Sequence, residues 1–233
     1  MNKRLLLVAV LLCNMTMAIA QQQPADSVKT RTTQTFSLEK ASVQLHGGTQ
    51  GFGLAARYQF IPQVAARLGG SYGSVTINEG FSFDNLSTDN RIKGQLGNVH
   101  LYGEYSALSW LRLVAGAGYF FKANGNVRMT PNESVTQDGI TLEPEEIGTL
   151  TTEITYKKFA PYIGLGFGRG LPQKRFNVNF DLGFYYLSAP SVTMTGTEYL
   201  EDNSQNGPIL TENMKGYRFL PVLQLNLNFK LSK

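Results

Sequence analysis

Three arginines and two carboxylates, Arg57, Arg67, Arg112, Glu104 and Asp181, each stand beside at least one bulky apolar or aromatic neighbour. In every case the charged residue alternates with those neighbours and shares its face with Gly, Ser, Asn and Gln. Charges withdrawn from water must be paired. The first chemistry these residues suggest is therefore a buried network of ion pairs and hydrogen bonds. The second is the polar lining of a narrow conduction path. His46 and His100 are the only histidines and fall on the same face. Hydrolysis of a lipid would require a serine, a histidine and a carboxylate in contact. His100 and Glu104 point the same way but lie about 13 Å apart at the rise of a strand. A metal would need a third and a fourth close ligand, and no spacing offers them. No catalytic residue, metal or cofactor is expected.

The elements that would carry these side chains are strands. Period-two alternation runs through residues 41–47, 52–60, 64–72, 98–105, 111–121, 162–168, 176–186 and 223–231. In the fifth, Leu111, Leu113, Ala115, Ala117, Tyr119 and Phe121 alternate with Arg112, Val114, Gly116, Gly118 and Phe120. Strict alternation marks a strand with two unlike faces. No amphipathic stretch of helical length separates the eight segments, so the sheet is read as antiparallel. Residues 150–158 also look strand-like. They are read as an extension of strand six, with a loop hairpin as the alternative; a ninth spanning strand would break the even count of bacterial barrels.

The N-terminus reads as an export signal. Lys3 and Arg4 precede an apolar run from Leu5 to Leu12, and Ala18-Ile19-Ala20 is a small-x-small cleavage site. The expected organisation is a signal peptide over 1–20, a flexible polar lead over 21–40 and one domain over 41–233. Removing the signal takes away Lys3, Arg4 and the single cysteine, Cys13, and halves the formal charge of +4. What remains gives no case for nucleic acid, and a disulfide scaffold is excluded. Charged residues are 16% of the chain, low for a soluble helical protein that needs a charged outer face.

The two strand faces decide where the protein works. Across the strands the bulky face carries Leu, Phe, Val, Ile and Tyr, while the other face is rich in glycine and holds all five charges. In water the glycine-rich face would be the solvated one, at an entropic cost with no return. In lipid the bulky face becomes the outside, and eight strands leave a lumen just wide enough for side chains. The links near 61–63, 108–110 and 171–173 are short, and those near 78–91, 122–149 and 188–216 are long and polar. Short turns on one side and long loops on the other, with the exception of a tight first outer link near Gly48 to Gly51, belong to a transmembrane barrel. Trp110, Phe167 and Phe229 fall near the short-turn end and Tyr119 and Tyr186 toward the long-loop end, as interfacial girdles would. The fold expected is all-β: an eight-stranded antiparallel up-and-down transmembrane β-barrel.

On these residues the chain resembles the small eight-stranded outer-membrane β-barrel proteins of Gram-negative bacteria, the porin-like OmpA/OmpW-type membrane domain. The resemblance covers roughly residues 41–233. It rests on the Ala-Gln signal end, on the stretches Ala160-Pro161-Tyr162-Ile163-Gly164-Leu165-Gly166-Phe167-Gly168 and Phe180-Asp181-Leu182-Gly183-Phe184-Tyr185-Tyr186, and on the last alternating strand. It implies an outer-membrane location with the long loops extracellular, and contact with outer-membrane lipid and lipopolysaccharide. It also implies a monomer inserted by machinery that reads an aromatic at the end of the last strand, and here the chain departs from the pattern, with Lys230, Leu231, Ser232 and Lys233 after Phe229. The function expected is structural anchoring or surface interaction without chemistry. The alternatives are a narrow passive channel for small or apolar solutes and a membrane-embedded lipid-modifying enzyme. The long loops are acidic, through Glu143, Glu145, Glu146, Glu198, Glu201 and Asp202 among others, but contain no dense cation-binding loop.

Overall fold

The computed structural model describes residues 37–78, 88–137 and 140–232; the expected signal peptide and most of the lead lie outside them. Ser37–Lys40 form a short 3-10 turn that leads into the first strand. In chain order the strands are β1 (Ala41–Gly48), β2 (Gly51–Ile61), β3 (Val64–Asn78), β4 (Thr88–Ser106) and β5 (Leu111–Pro131). A small hairpin of β6 (Val135–Gln137) and β7 (Ile140–Leu142) and a helical turn α1 (Pro144–Ile147) follow. Next come β8 (Leu150–Thr155), β9 (Phe159–Phe167), β10 (Phe176–Tyr186) and β11 (Ser191–Gly196). A 3-10 segment (Glu198–Asn206), helix α2 (Gly207–Asn213) and β12 (Phe219–Lys230) complete the chain.

Eight strands close a ring in the order β1, β2, β3, β4, β5, β9, β10, β12 and back to β1, every neighbour antiparallel. Each of the eight ring strands has a hydrogen-bonded neighbour on both sides, which is what a sheet in lipid requires. The alternation read from the sequence is the alternation of the wall. Leu223 and Leu225 face outward, while Gln224, Asn226 and Asn228 are buried inside. Val99, Leu101 and Tyr105 are exposed, and Asn98, His100, Tyr102 and Glu104 are buried between them. The β1–β2 connection is only two residues long. Gly51 there has φ +89, and a Cβ on it would stand 2.1 Å from the Tyr72 carbonyl oxygen. Only glycine fits such a turn.

The strands on one side run much further than the alternation over 64–121 suggests. β3, β4 and β5 have 15, 19 and 21 residues, whereas β1 has 8. A tilted strand crosses a bilayer in about 9–11 residues, so β3–β5 project well beyond the belt. Leu150–Thr155 pairs with Asn124–Met129 of β5, above the stretch of β5 that pairs with β9. It therefore continues the sixth stave upward, and β11 pairs with its other edge. Much of the 122–149 stretch, read as polar loop, is sheet.

In this extension the faces exchange character. Below, the outward residues of β4 are Val99, Leu101 and Tyr105; above, they are Asp89, Arg91, Lys93 and Gln95. Inward, the order reverses: Glu104, His100 and Asn98 give way to Leu96 and Ile92. β3 does the same, with Val75 and Ile77 sharing the inner face of Gly94 and Ile92. On β5 the switch coincides with a β-bulge, where Gly97 pairs with Lys122 and Asn98 with Phe120. The extra residue, Phe121, is accommodated on the outer face, and the inward positions pass from even numbers (Arg112, Val114, Phe120) to odd ones (Ala123, Val127, Met129).

Candidate functional site

The lumen is filled, and its centre is a ring of charge. Glu104 on β4 and Asp181 on β10 are each held by both Arg67 of β3 and Arg112 of β5. Arg67 Nε lies 3.0 Å from Glu104 Oε1, and its Nη1 donates to Asp181 Oδ2 at 2.6 Å. Arg112 Nη1 donates to Glu104 Oε2 and Nη2 to Asp181 Oδ1, both at 2.9 Å. Four groups thus alternate in sign around a closed circuit. Arg57 of β2 is a fifth member attached at one point, donating from Nε to Glu104 Oε2 at 2.7 Å. No side chain of the five is more than 2% exposed. Arg57 and Arg67 are direct cross-strand partners, a like-charge pair that is tolerable only because Glu104 reaches between them.

Polar and aromatic layers stack above the ring. Arg67 Nη1 also donates to Gln44 Oε1 at 3.1 Å, and Gln44 Nε2 donates to Asn226 Oδ1 at 2.8 Å. The Arg67 guanidinium stands 5.0 Å over the Tyr102 ring, which stacks on Tyr162 at 4.5 Å. Tyr102 and Tyr185 share a hydroxyl hydrogen bond, and Phe120 meets Tyr185 edge-on at 5.0 Å. These rings form one apolar cluster with Val114, Ala160, Leu187 and Val222, against which Leu96, Ala123, Tyr156 and Leu220 pack. At the tip of the β1–β2 hairpin Gln50 tucks into the lumen, where Asn98 Nδ2 donates to its Oε1 at 3.2 Å.

The six lumen residues singled out in the sequence, Arg57, Arg67, His100, Glu104, Arg112 and Asp181, are all buried inside, but only five meet. His100 belongs to the layer above, stacked on Tyr102 at 4.5 Å with Nδ1 3.0 Å from Asn98 Oδ1. His46 Nε2 lies 2.8 Å from Ser71 Oγ, a pair the sequence reading did not single out. His46 Nδ1 faces the Gln44 amide at 3.4 Å, so the third member of a hydrolytic triad would have to be a carboxylate where an amide stands. Of the aromatics, Trp110 is exposed in the β4–β5 turn, Phe167 closes β9 and Phe229 pairs with Phe176 near the end of β12. Tyr119 and Tyr186 face outward at the opposite end, beside Phe159 and Phe219. The tyrosines of the lumen share the parity of the charged residues, so alternation could have found them. Gln50 sits in a turn, where period two says nothing.

Above the aromatic layer is an apolar cavity of about 780 Å³. Its lining joins inward Leu96, Ala123, Tyr156 and Leu187 to Phe52 and Tyr72, which face outward. The cavity therefore passes over the low rim left by the short β1–β2 hairpin.

No family model and no curated protein matches the chain. Solved structures do. CarO from Acinetobacter baumannii is 23% identical with a TM-score of 0.59, over 84% of this chain and 100% of that one. CarO2 from the same organism is 24% identical with a TM-score of 0.55, over 81% and 97%. This chain folds as an eight-stranded antiparallel barrel like these outer-membrane proteins. At such identity the likeness establishes the fold alone; the ring, the aromatic layer and the cavity are read from this chain's own residues.

Proposed function

We propose that the protein is an outer-membrane barrel whose lumen is closed, an anchor that presents its long-loop end at the cell surface. The observation that carries this reading is the charge ring. Its five side chains span the lumen from β2, β3, β4, β5 and β10 without exposed surface, and an aromatic layer seals it from above. Opening a path for ions would mean breaking several charge-assisted bonds at once in a low-dielectric interior. Trp110, Phe167 and Phe229 at one end, with Tyr119 and Tyr186 at the other, suit the two lipid interfaces. The long loops then lie outside the cell, beside lipopolysaccharide.

Planar-bilayer recording tests the closed lumen. The protein should insert without discrete current steps; reproducible steps would sink the reading. The cavity above the aromatic layer favours a second role, retention of a small apolar molecule at the surface without passage through the lumen. An environment-sensitive apolar dye should bind the wild type and lose affinity in Leu96→Asp. Equal binding by both would remove this role.

A further inference from the structure

The lumen holds three guanidinium groups against two carboxylates among the described residues. One positive charge is left over, and the geometry shows where. Arg67 and Arg112 each touch both carboxylates; Arg57 touches only Glu104, and its buried Nη1 has no hydrogen-bond partner among the described residues. Arg57 lines a cavity of about 350 Å³ at the short-turn mouth of the barrel. Arg112, Arg169 and Lys230 line it too, with Ser106 and Ser109 as neutral hydroxyls and no carboxylate side chain in the wall among the described residues.

The turn over this mouth is built in place rather than draped. Asn177 Nδ2 and Asn179 Nδ2 donate to the Arg169 carbonyl at 2.7 and 2.9 Å, and Arg112 Nε donates to the Gly168 carbonyl at 3.0 Å. Gly170 lies so close on the Arg57 guanidinium that a Cβ would stand 2.4 Å from Cζ. A buried donor without a partner, a surplus charge and a wall of cations converge on one cavity. Guanidinium forks match the oxygens of a tetrahedral anion.

We propose that this mouth binds a phosphate-class oxyanion, with Arg57 Nη1 as its buried donor and Arg112, Arg169 and Lys230 as its positive wall. The oxyanion is either the headgroup of a phospholipid in the adjoining leaflet or free inorganic phosphate.

The test uses the full barrel in an uncharged, phosphate-free detergent at constant ionic strength in chloride. Calorimetric titration is run with inorganic phosphate and, separately, with dihexanoyl phosphatidylglycerol below its micellar concentration. Trp110, the only tryptophan, lies next to Ser109 and reports occupancy by fluorescence. At least one ligand should bind saturably, and affinity should fall tenfold or more in Arg57→Gln and in the rim variant Arg169→Gln/Lys230→Gln. Binding of inorganic phosphate identifies the free ion; binding of the short lipid alone identifies the headgroup. If neither binds, or if the rim variant binds as the wild type does, the proposal is overturned. The rim variant leaves the ring intact, so it decides the matter even where Arg57→Gln fails to fold.

Discussion

The belt and the extension above it are built from the same strands with opposite logic. In the belt of β3, β4 and β5 the wall shows its apolar side outward and keeps its charges within. Ten residues further along the same chains, Lys93 and Arg91 face out and Ile92 and Leu96 face in. The hydrophobic effect has not changed, only the solvent it answers to: hydrocarbon around the belt, water around the extension. In the proposed outer-membrane setting the contrast puts the upper boundary of the hydrocarbon near the bulge at Phe120–Lys122. It also separates what holds each region. The belt is held by closure and by its charge ring, the extension by ordinary burial of an apolar face that is only half covered.

The largest blow to that contrast is Glu104→Gln. Glu104 contacts all three arginines, and breaking a buried pair by removing one partner costs about 3–5 kcal/mol. The folded band that shifts on heating should weaken or vanish; a variant with the wild-type midpoint in urea would mean that the ring is not what holds the belt. Next, Leu101→Arg puts a charge on the lipid face and should cost about 2–4 kcal/mol near the midplane, read by the same denaturation in lipid vesicles.

The extension should answer differently. Ile92→Ala removes an inward, half-buried side chain and should destabilise by about 1–2 kcal/mol at most, less than the 2–5 of a full core position. Its effect should appear as faster hydrogen exchange and proteolysis above the bulge, with the belt unchanged. Coupled loss of both regions would refute their independence. Smallest of all, Lys93→Leu on the outer face of the extension should stay within about 0.5 kcal/mol. It shares its strand face with Leu101, and a large effect there would place the membrane boundary higher than the bulge.

The belt was legible in the sequence because each strand carried its own two-faced alternation, and this needs no neighbour to interpret. The parity of Arg57, Arg112 and Asp181 followed directly. Which arginine would meet which carboxylate did not, because that depends on cross-strand register and on reach across a lumen. The like-charge pairing of Arg57 with Arg67 would even have argued against it. The extension was missed for a different reason. Tracing one apolar face along β3 or β4 ends where that face turns polar, and the strand seems to stop. On the other parity, Val75, Ile77, Ile92 and Leu96 carry it on. The bulge hid β5 further by moving its inward positions from even to odd.

The ring also bears on how the molecule is made. Arg57, Arg67, Arg112 and Glu104 are in place once β2 to β5 have paired, but Asp181 comes 114 residues after Arg67, on β10. Until then three guanidiniums face one carboxylate, an excess that a dry interior resists. A sheet that lacks β10 would be favoured with water between its walls, whatever the order in which the strands pair. Closure of the ring and the second carboxylate therefore arrive on the same strand, and the interior excess falls from two positive charges to one.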